Sequence, residues 1–397
     1  FEWKDLRISH GPQWADVRDA AIAEIKAVRK KSNAPEWANE LVNYVNVEPA
    51  RAYSFPLASV ESAMTPEIPD TPFVKSLDGI WKFNWCGSPN LRPKDFYRVG
   101  FDDSGWYDIK VPSCVEMQGY GVPIYRNVAY PHPATPPDVD KDYNPVSSYR
   151  TLFTVPDAWK GRPVFLRFEG VYSAYYVWVN GIKVGFSEDS CTAHEFNITK
   201  FLKPGENVLA VEVYRWSDGA FLEDQDFFRF SGIYRHVMLF SPPEIEIRDF
   251  FWKPKFSKDF SFVEVDLHVE LRNLGLGETP KNGFPPVTAA LYDADFNFVS
   301  NARLKDVRRT VLNFELSAFR LWSAEDPYLY TLVIKAGDDI RSCKVGFMKT
   351  ELMPDGAINV NGRPVKFKGV NRHDASAENG RSLTREEMLR DVVMMKQ

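Results

Sequence analysis

Cysteine is scarce in this chain, and no apolar run is long enough for a membrane. The four cysteines, Cys86, Cys114, Cys191 and Cys343, lie far apart without a C-x-x-C pair, so neither a zinc knuckle nor a disulfide framework is expected. They read as reduced, buried thiols. No stretch approaches the roughly 18 consecutive apolar residues that a spanning helix requires, which excludes an integral membrane helix. A basic excess is missing too. Lys and Arg number 49 against 54 Asp and Glu, a formal charge of −5, so nothing draws in a phosphate backbone and nucleic acid is not an expected partner. Neither an initiator Met nor an apolar signal stretch opens the chain at Phe1, from which we expect that the natural N-terminus was removed. A soluble protein is expected, with the compartment, cytoplasmic or periplasmic, left open.

At 397 residues the chain exceeds what one hydrophobic core usually serves, so two to four domains are expected. Aromatic residues are plentiful at 14%, which suits sugar platforms and large β-cores alike. Residues 14 to 31 set Val17, Ala21, Ile25 and Val28 at helical spacing among charged residues, predicting one amphipathic helix. Pro35 to Pro72 is rich in proline and polar residues and reads as an extended arm over other domains. From Leu77 to Leu239 short runs alternate in period two; Val164, Leu166 and Phe168 face one way, Phe165, Arg167 and Glu169 the other. Asn180-Gly181 predicts a hairpin between Tyr175–Asn180 and Ile182–Phe186, and Pro204-Gly205 a turn before a strand from Val208 to Arg215. Many short strands without a long helix predict a β-sandwich of jelly-roll type. After Pro242-Pro243 a second set, including Phe262–Leu271, Thr288–Asp293 and Tyr330–Ala336, fits an immunoglobulin-like sandwich of about 100 residues, on size and strand count alone.

The last segment changes character. Ile358–Val360 and Val365–Val370 flank Asn361-Gly362 and read as a hairpin leading into a buried strand. Thr384 and Glu387 form a capping-box pattern ahead of Met388, Leu389, Val392, Val393 and Met395 at helical spacing. No stop signal precedes Gln397, so the chain is expected to be incomplete there. The expected division is residues 1–48 for helix and arm, 49–241 for the jelly roll, 242–349 for the immunoglobulin-like sandwich and 350–397 for a strand–helix unit.

Five stretches resemble glycoside hydrolase family 2, and specifically its large β-galactosidases. They are Pro35-Glu36-Trp37, the run from Leu77 to Phe83, the run from Gly121 to Pro131, Arg215-Trp216-Ser217-Asp218-Gly219 through Asp226, and Lys368 to His373. Long motifs in one order are far more specific than any single signature. The resemblance implies a mostly-β protein, with a jelly-roll and an immunoglobulin-like sandwich followed by the first βα unit of a TIM barrel, whose active sites lie at the strands' C-terminal ends. It also implies retaining hydrolysis of terminal β-galactosides by two glutamates from later barrel strands, so no catalytic acid or nucleophile is nominated here. The other readings are a different family 2 activity, β-glucuronidase or β-mannosidase, and a carbohydrate-binding module without catalysis.

On that resemblance Asp218 is expected to approach the galactosyl group and a sodium ion, a carboxylate suiting both; its plainer reading is a turn aspartate in Ser-Asp-Gly. Asn127 is expected to bind substrate through its amide, and of the pair closing the first barrel strand His373 is expected to face the sugar and Arg372 to orient the catalytic region. Asp374-Ala375-Ser376 departs from the family's usual Glu-His-His. Glu223, Asp224 and Asp226 read as a solvated or paired cluster, with Arg229 and Arg235 as candidate partners. Magnesium and sodium, a galactoside substrate and a homo-oligomer are implied for the whole enzyme.

Overall fold

A computed structural model describes residues 34–67, 70–126, 129–223, 226–275, 280, 283–304 and 308–397. The helix expected at 14–31 lies outside them. The alternation after Leu77 becomes two antiparallel sheets. The larger runs in the order Tyr44–Val45, Ile182–Glu188, Ala174–Val179, Glu206–Tyr214, Val146–Thr154, Gly79–Cys86 and Tyr107–Val111. The smaller runs His194–Asn197, Phe165–Phe168, Val237–Phe240 and Val74–Ser76. Period two turns Phe83, Val177 and Leu209 from one sheet toward Leu166, Phe168 and Leu239 of the other, all in one buried core. Each such side chain stabilises the sandwich by about 1.5–3 kcal/mol. Asn180 and Gly181 take φ of 51° and 85°, as the hairpin between Ala174–Val179 and Ile182–Glu188 requires.

Phe165 and Arg167 point away from this core and are buried as well. Phe165 stacks on Phe240 at 5.1 Å, and Arg167 bonds Glu195 at 2.7 Å. The arm covers this face. Arg51 donates to both oxygens of Glu195, at 3.0 and 2.8 Å, and to the Ser54 carbonyl. Arg272 of the second sandwich bridges Glu48 and Glu246, while Arg341 bonds Asp339 at 2.7 Å and the Ser54 carbonyl at 2.9 Å. Buried charges persist only when paired, and here residues of the arm supply partners to both sandwiches.

That second sandwich packs Ile245–Phe256, Val263–Asn273 and Arg309–Leu316 against Phe298–Leu304, Val287–Tyr292, Tyr330–Ala336 and Asp339–Val345. Leu267, Leu271, Leu312, Leu332 and Ile334 fill its core. A three-stranded meander of Thr350–Leu352, Ile358–Val360 and Arg363–Pro364 follows, turning through Asn361 and Gly362 at φ 51° and 74°.

Two expectations need correction. The run Val365–Val370 forms no ladder, and Phe367 and Val370 stay 73% and 70% exposed. A buried parallel strand needs hydrogen-bonded neighbours along its edges, and beyond one bond from the Val365 amide to the Ile358 carbonyl the described residues supply no such ladder. The helix Arg385–Lys396 does form, with both halves of its Thr384–Glu387 capping box, yet none of its residues is buried. Cys191 is exposed rather than buried, Cys86 and Cys343 are half-buried, and only Cys114 is enclosed; all four are free thiols.

Candidate functional site

Strand Glu206–Tyr214 runs into Arg215-Trp216-Ser217, and Asp218 then opens a short 3-10 turn to Phe221. Asn144 holds the approach by donating to the Trp216 carbonyl at 2.8 Å and accepting from its amide at 2.9 Å. Ser173 donates to the Ser217 hydroxyl at 3.2 Å. Asp218 is therefore delivered by a pinned backbone, and it is buried, with Oδ1 lacking a partner among the described residues.

Beside it stands Glu188, the last residue of strand Ile182–Glu188, also buried and with Oε2 lacking a partner among the described residues. Burial pushes the Glu188 carboxyl up to about 9, and the adjoining Asp218 and then Glu223 charges push the same way. Burial also raises Asp218, to about 6, against lowering bonds from its own amide, Glu188 and the Asn39 amide. Two carboxylates in contact cannot both ionise cheaply, so near neutral pH Glu188 holds a proton that it can donate to Asp218. Nothing in the local sequence around Glu188 announced this pairing.

Glu223 accepts from the amide and hydroxyl of Ser190, at 2.7 and 2.6 Å. Arg235 donates to the Cys191 carbonyl, and Arg229 donates to the backbone carbonyl of Glu223. Asp226 accepts from the Tyr125 hydroxyl at 2.5 Å. Asp224 lies outside the described residues.

Arg372 and His373 come together in a cleft of about 300 Å³ that Cys191, Phe227, Phe228 and Asp374 also line. Arg372 donates to Asp391 Oδ2 at 2.7 and 3.0 Å and to Asp374, so its guanidinium is already oriented. His373 is exposed. Asp218 does not line this cleft; the loop after Glu188 reaches it through Cys191. Asn127 lies outside the described residues. No group of three or more His, Cys, Asp or Glu among the described residues is arranged to hold a metal ion. Asp218 Oδ1 offers one hard oxygen donor, which fits a single ligand position for an alkali cation; no donor set among the described residues fits magnesium.

Three family models match the sequence in succession. The sugar binding domain of glycosyl hydrolases family 2 covers residues 74–243, a second model of that family 245–347, and its TIM barrel domain 352–397. The chain belongs to glycoside hydrolase family 2. Its sugar-binding domain carries Asn127 and Asp218, and its barrel match carries Arg372 and His373. Among curated relatives, the β-galactosidase of Priestia megaterium is 39% identical over 381 residues, covering 91% of this chain and 36% of the relative. That of Clostridium acetobutylicum is 41% identical over 338 residues, covering 82% and 37%. The chain thus spans about a third of the length of these family 2 relatives. Among solved structures, a Bifidobacterium dentium β-glucuronidase complexed with coumarin-3-O-glucuronide shares 21% identity at a TM-score of 0.66, covering 83% of this chain and 57% of that one. A Bacteroides vulgatus β-glycosidase shares 23% at 0.64, covering 81% and 40%. At those identities the likeness concerns the fold alone. No helix among the described residues is long and apolar enough to cross a membrane.

Proposed function

We propose that this chain is the leading portion of a retaining β-galactosidase that hydrolyses terminal non-reducing β-D-galactosides. The observation that carries the reading is the pair of curated β-galactosidases at 39% and 41% identity, each matched over most of this chain. Retaining hydrolysis uses two carboxyl groups about 5 Å apart, one protonating the leaving oxygen and the other attacking the anomeric carbon. In this reading both glutamates stand outside these 397 residues, and the chain alone does not turn over substrate.

What the chain contributes is recognition. Asp218 accepts hydrogen bonds from sugar hydroxyls and serves as one ligand to sodium, a role that its buried, unpartnered Oδ1 supports. Asn127 binds sugar hydroxyls through its amide, His373 contacts the sugar, and Arg372, already fixed by Asp391, orients the catalytic region. The divisions at residues 48, 241 and 349, a magnesium ion held by residues outside this chain, and a homo-oligomeric whole enzyme complete the proposal.

The test is turnover of a chromogenic β-galactoside by this chain and by the full-length protein, with a β-glucuronide as control. Galactoside hydrolysis confined to the full-length protein is the expected result. Hydrolysis by the 397-residue chain would relocate the active site, and a full-length protein that cleaves only the glucuronide would make it a different family 2 glycosidase.

A further inference from the structure

After Arg372 and His373 the chain makes a closed turn and re-enters the sandwich by one side chain. Ser376 and Gly380 exchange two backbone hydrogen bonds, at 2.9 and 3.0 Å, and Asn379 donates to Glu387 in the first turn of the helix. Gly380 holds φ of 58°, and a Cβ there would stand 3.0 Å from Met117 Cγ and 3.2 Å from Cys114 Sγ, so glycine lets this turn seat against the sandwich without displacing them. The Arg381 amide donates to Cys114 Sγ at 3.3 Å.

The guanidinium of Arg381 then passes between two rings, 4.7 Å from Phe227 and 5.1 Å from Tyr234, and donates to Cys191 Sγ at 3.4 Å. Each contact leads toward Asp218. Phe227 also carries the Arg229 guanidinium at 4.4 Å, and Arg229 holds the Glu223 carbonyl. Tyr234 donates to the Ser190 carbonyl at 2.6 Å, and the Glu223 carboxylate holds the amide and hydroxyl of the same Ser190. Ser190 lies two residues after Glu188. One planar cation thus contacts both aromatic faces and the loop that supports the Glu188–Asp218 pair.

We propose that Arg381 is a positioning residue, a bolt that fixes Arg372 and His373 on the barrel side relative to Asp218 on the sandwich side. This rests on the reading of Asp218, Arg372 and His373 as recognition residues of one site. Neither a cation–π stack on two faces nor the directed N–H to sulfur is reproduced by a lysine, whose ammonium is a point charge.

In the full-length protein, Arg381→Ala should raise KM for a chromogenic galactoside by about tenfold with a smaller change in kcat, since loss of alignment acts on binding of a ligand gripped from two sides. Arg381→Lys should recover only part of this. Combined with Asp218→Asn, the loss in kcat/KM should fall well short of the product of the two single losses, because both variants remove the same grip. Phe227→Leu, which removes one ring and no charge, should move KM in the same direction and serves if Arg381→Ala does not fold. A KM within twofold of wild type in the folded variants, or independent losses in the double variant, would overturn the proposal. Amide exchange supplies a readout free of substrate: residues 188–193 should exchange about tenfold faster in whichever of these variants folds, as local opening becomes easier. Unchanged exchange refutes the bolt. Absence of galactoside turnover in the wild type would instead refute the functional reading and leave the exchange result to decide the bolt.

Discussion

Replacing Glu188 with glutamine should stabilise the protein, and by more as pH rises. Below about pH 4.5, the ordinary value for this carboxyl, folded and unfolded chains both hold the proton, so its burial costs least there. Between that pH and the folded value of about 9, the unfolded chain releases the proton while the folded chain keeps it. Stability therefore falls by about 1.4 kcal/mol per pH unit through this window. At pH 7, two and a half units above 4.5, the loss amounts to about 3 kcal/mol, and at pH 5 to less than about 1 kcal/mol. Asp218 adds a loss of the same sign between 3.8 and about 6. Glutamine keeps the shape and a donor toward Asp218 but has no proton to retain. Thermal unfolding of Glu188→Gln and wild type, followed by circular dichroism from pH 5 to 8 without metal cations, should show a gap that widens with pH. At pH 7 it should reach about 6 to 12 °C for a domain of this size. A gap that is constant, or that narrows with pH, would refute the shared-proton account. Added sodium should shrink the gap if Asp218 ligates it, because the cation replaces the proton between the two carboxylates.

Asp218→Asn in the full-length protein should lower kcat/KM for galactosides by about 100-fold, chiefly through KM, since an amide is a weaker acceptor for a hydroxyl; steady-state kinetics measure this. Arg51→Ala should lower stability by about 3 kcal/mol, read from the urea midpoint, because it withdraws a bidentate partner from Glu195 and leaves the Ser54 carbonyl with Arg341 as donor. An unchanged midpoint would mean that Arg167 and Arg248 neutralise Glu195 without it. The 397-residue chain should self-associate with rising concentration on size-exclusion chromatography, through Phe367, Val370, Val392 and Met394, all more than half exposed. Replacing Phe367 and Val370 with serine should reduce that association, and a monomer at every concentration would contradict it.

What was legible in the sequence was local or repetitive. Asn180-Gly181 specified its hairpin because positive φ at two adjacent positions is a property of those residues alone. Thr384 and Glu387 specified a helix start for the same reason, since both halves of the box lie within one turn. Period-two alternation placed Leu166 and Phe168 in the core, and motif resemblance drew attention to Asp218, Arg372 and His373. It could not tell that Phe165 and Arg167 are buried too, because their cover comes from the arm and from the neighbouring sheet edge.

The tertiary structure alone decided three matters. Val365–Val370 has the composition of a strand, yet a strand exists only by repeated hydrogen bonds to another segment, and among the described residues that run joins no ladder, its one such bond running from the Val365 amide to the Ile358 carbonyl at 2.9 Å. Cys191 is exposed because its loop forms the wall of a cleft rather than a core. The Glu188 and Asp218 carboxyls are both raised because two distant stretches of chain end side by side where burial penalises charge. The sequence by itself determined the turns, the capped helix, the order of the domains and the family, since propensity, turn chemistry and motifs are written in neighbouring residues. Burial, and with it the charge state of the site, was settled by packing, because the desolvation of a group depends on every segment that surrounds it and not on the residues beside it in the chain.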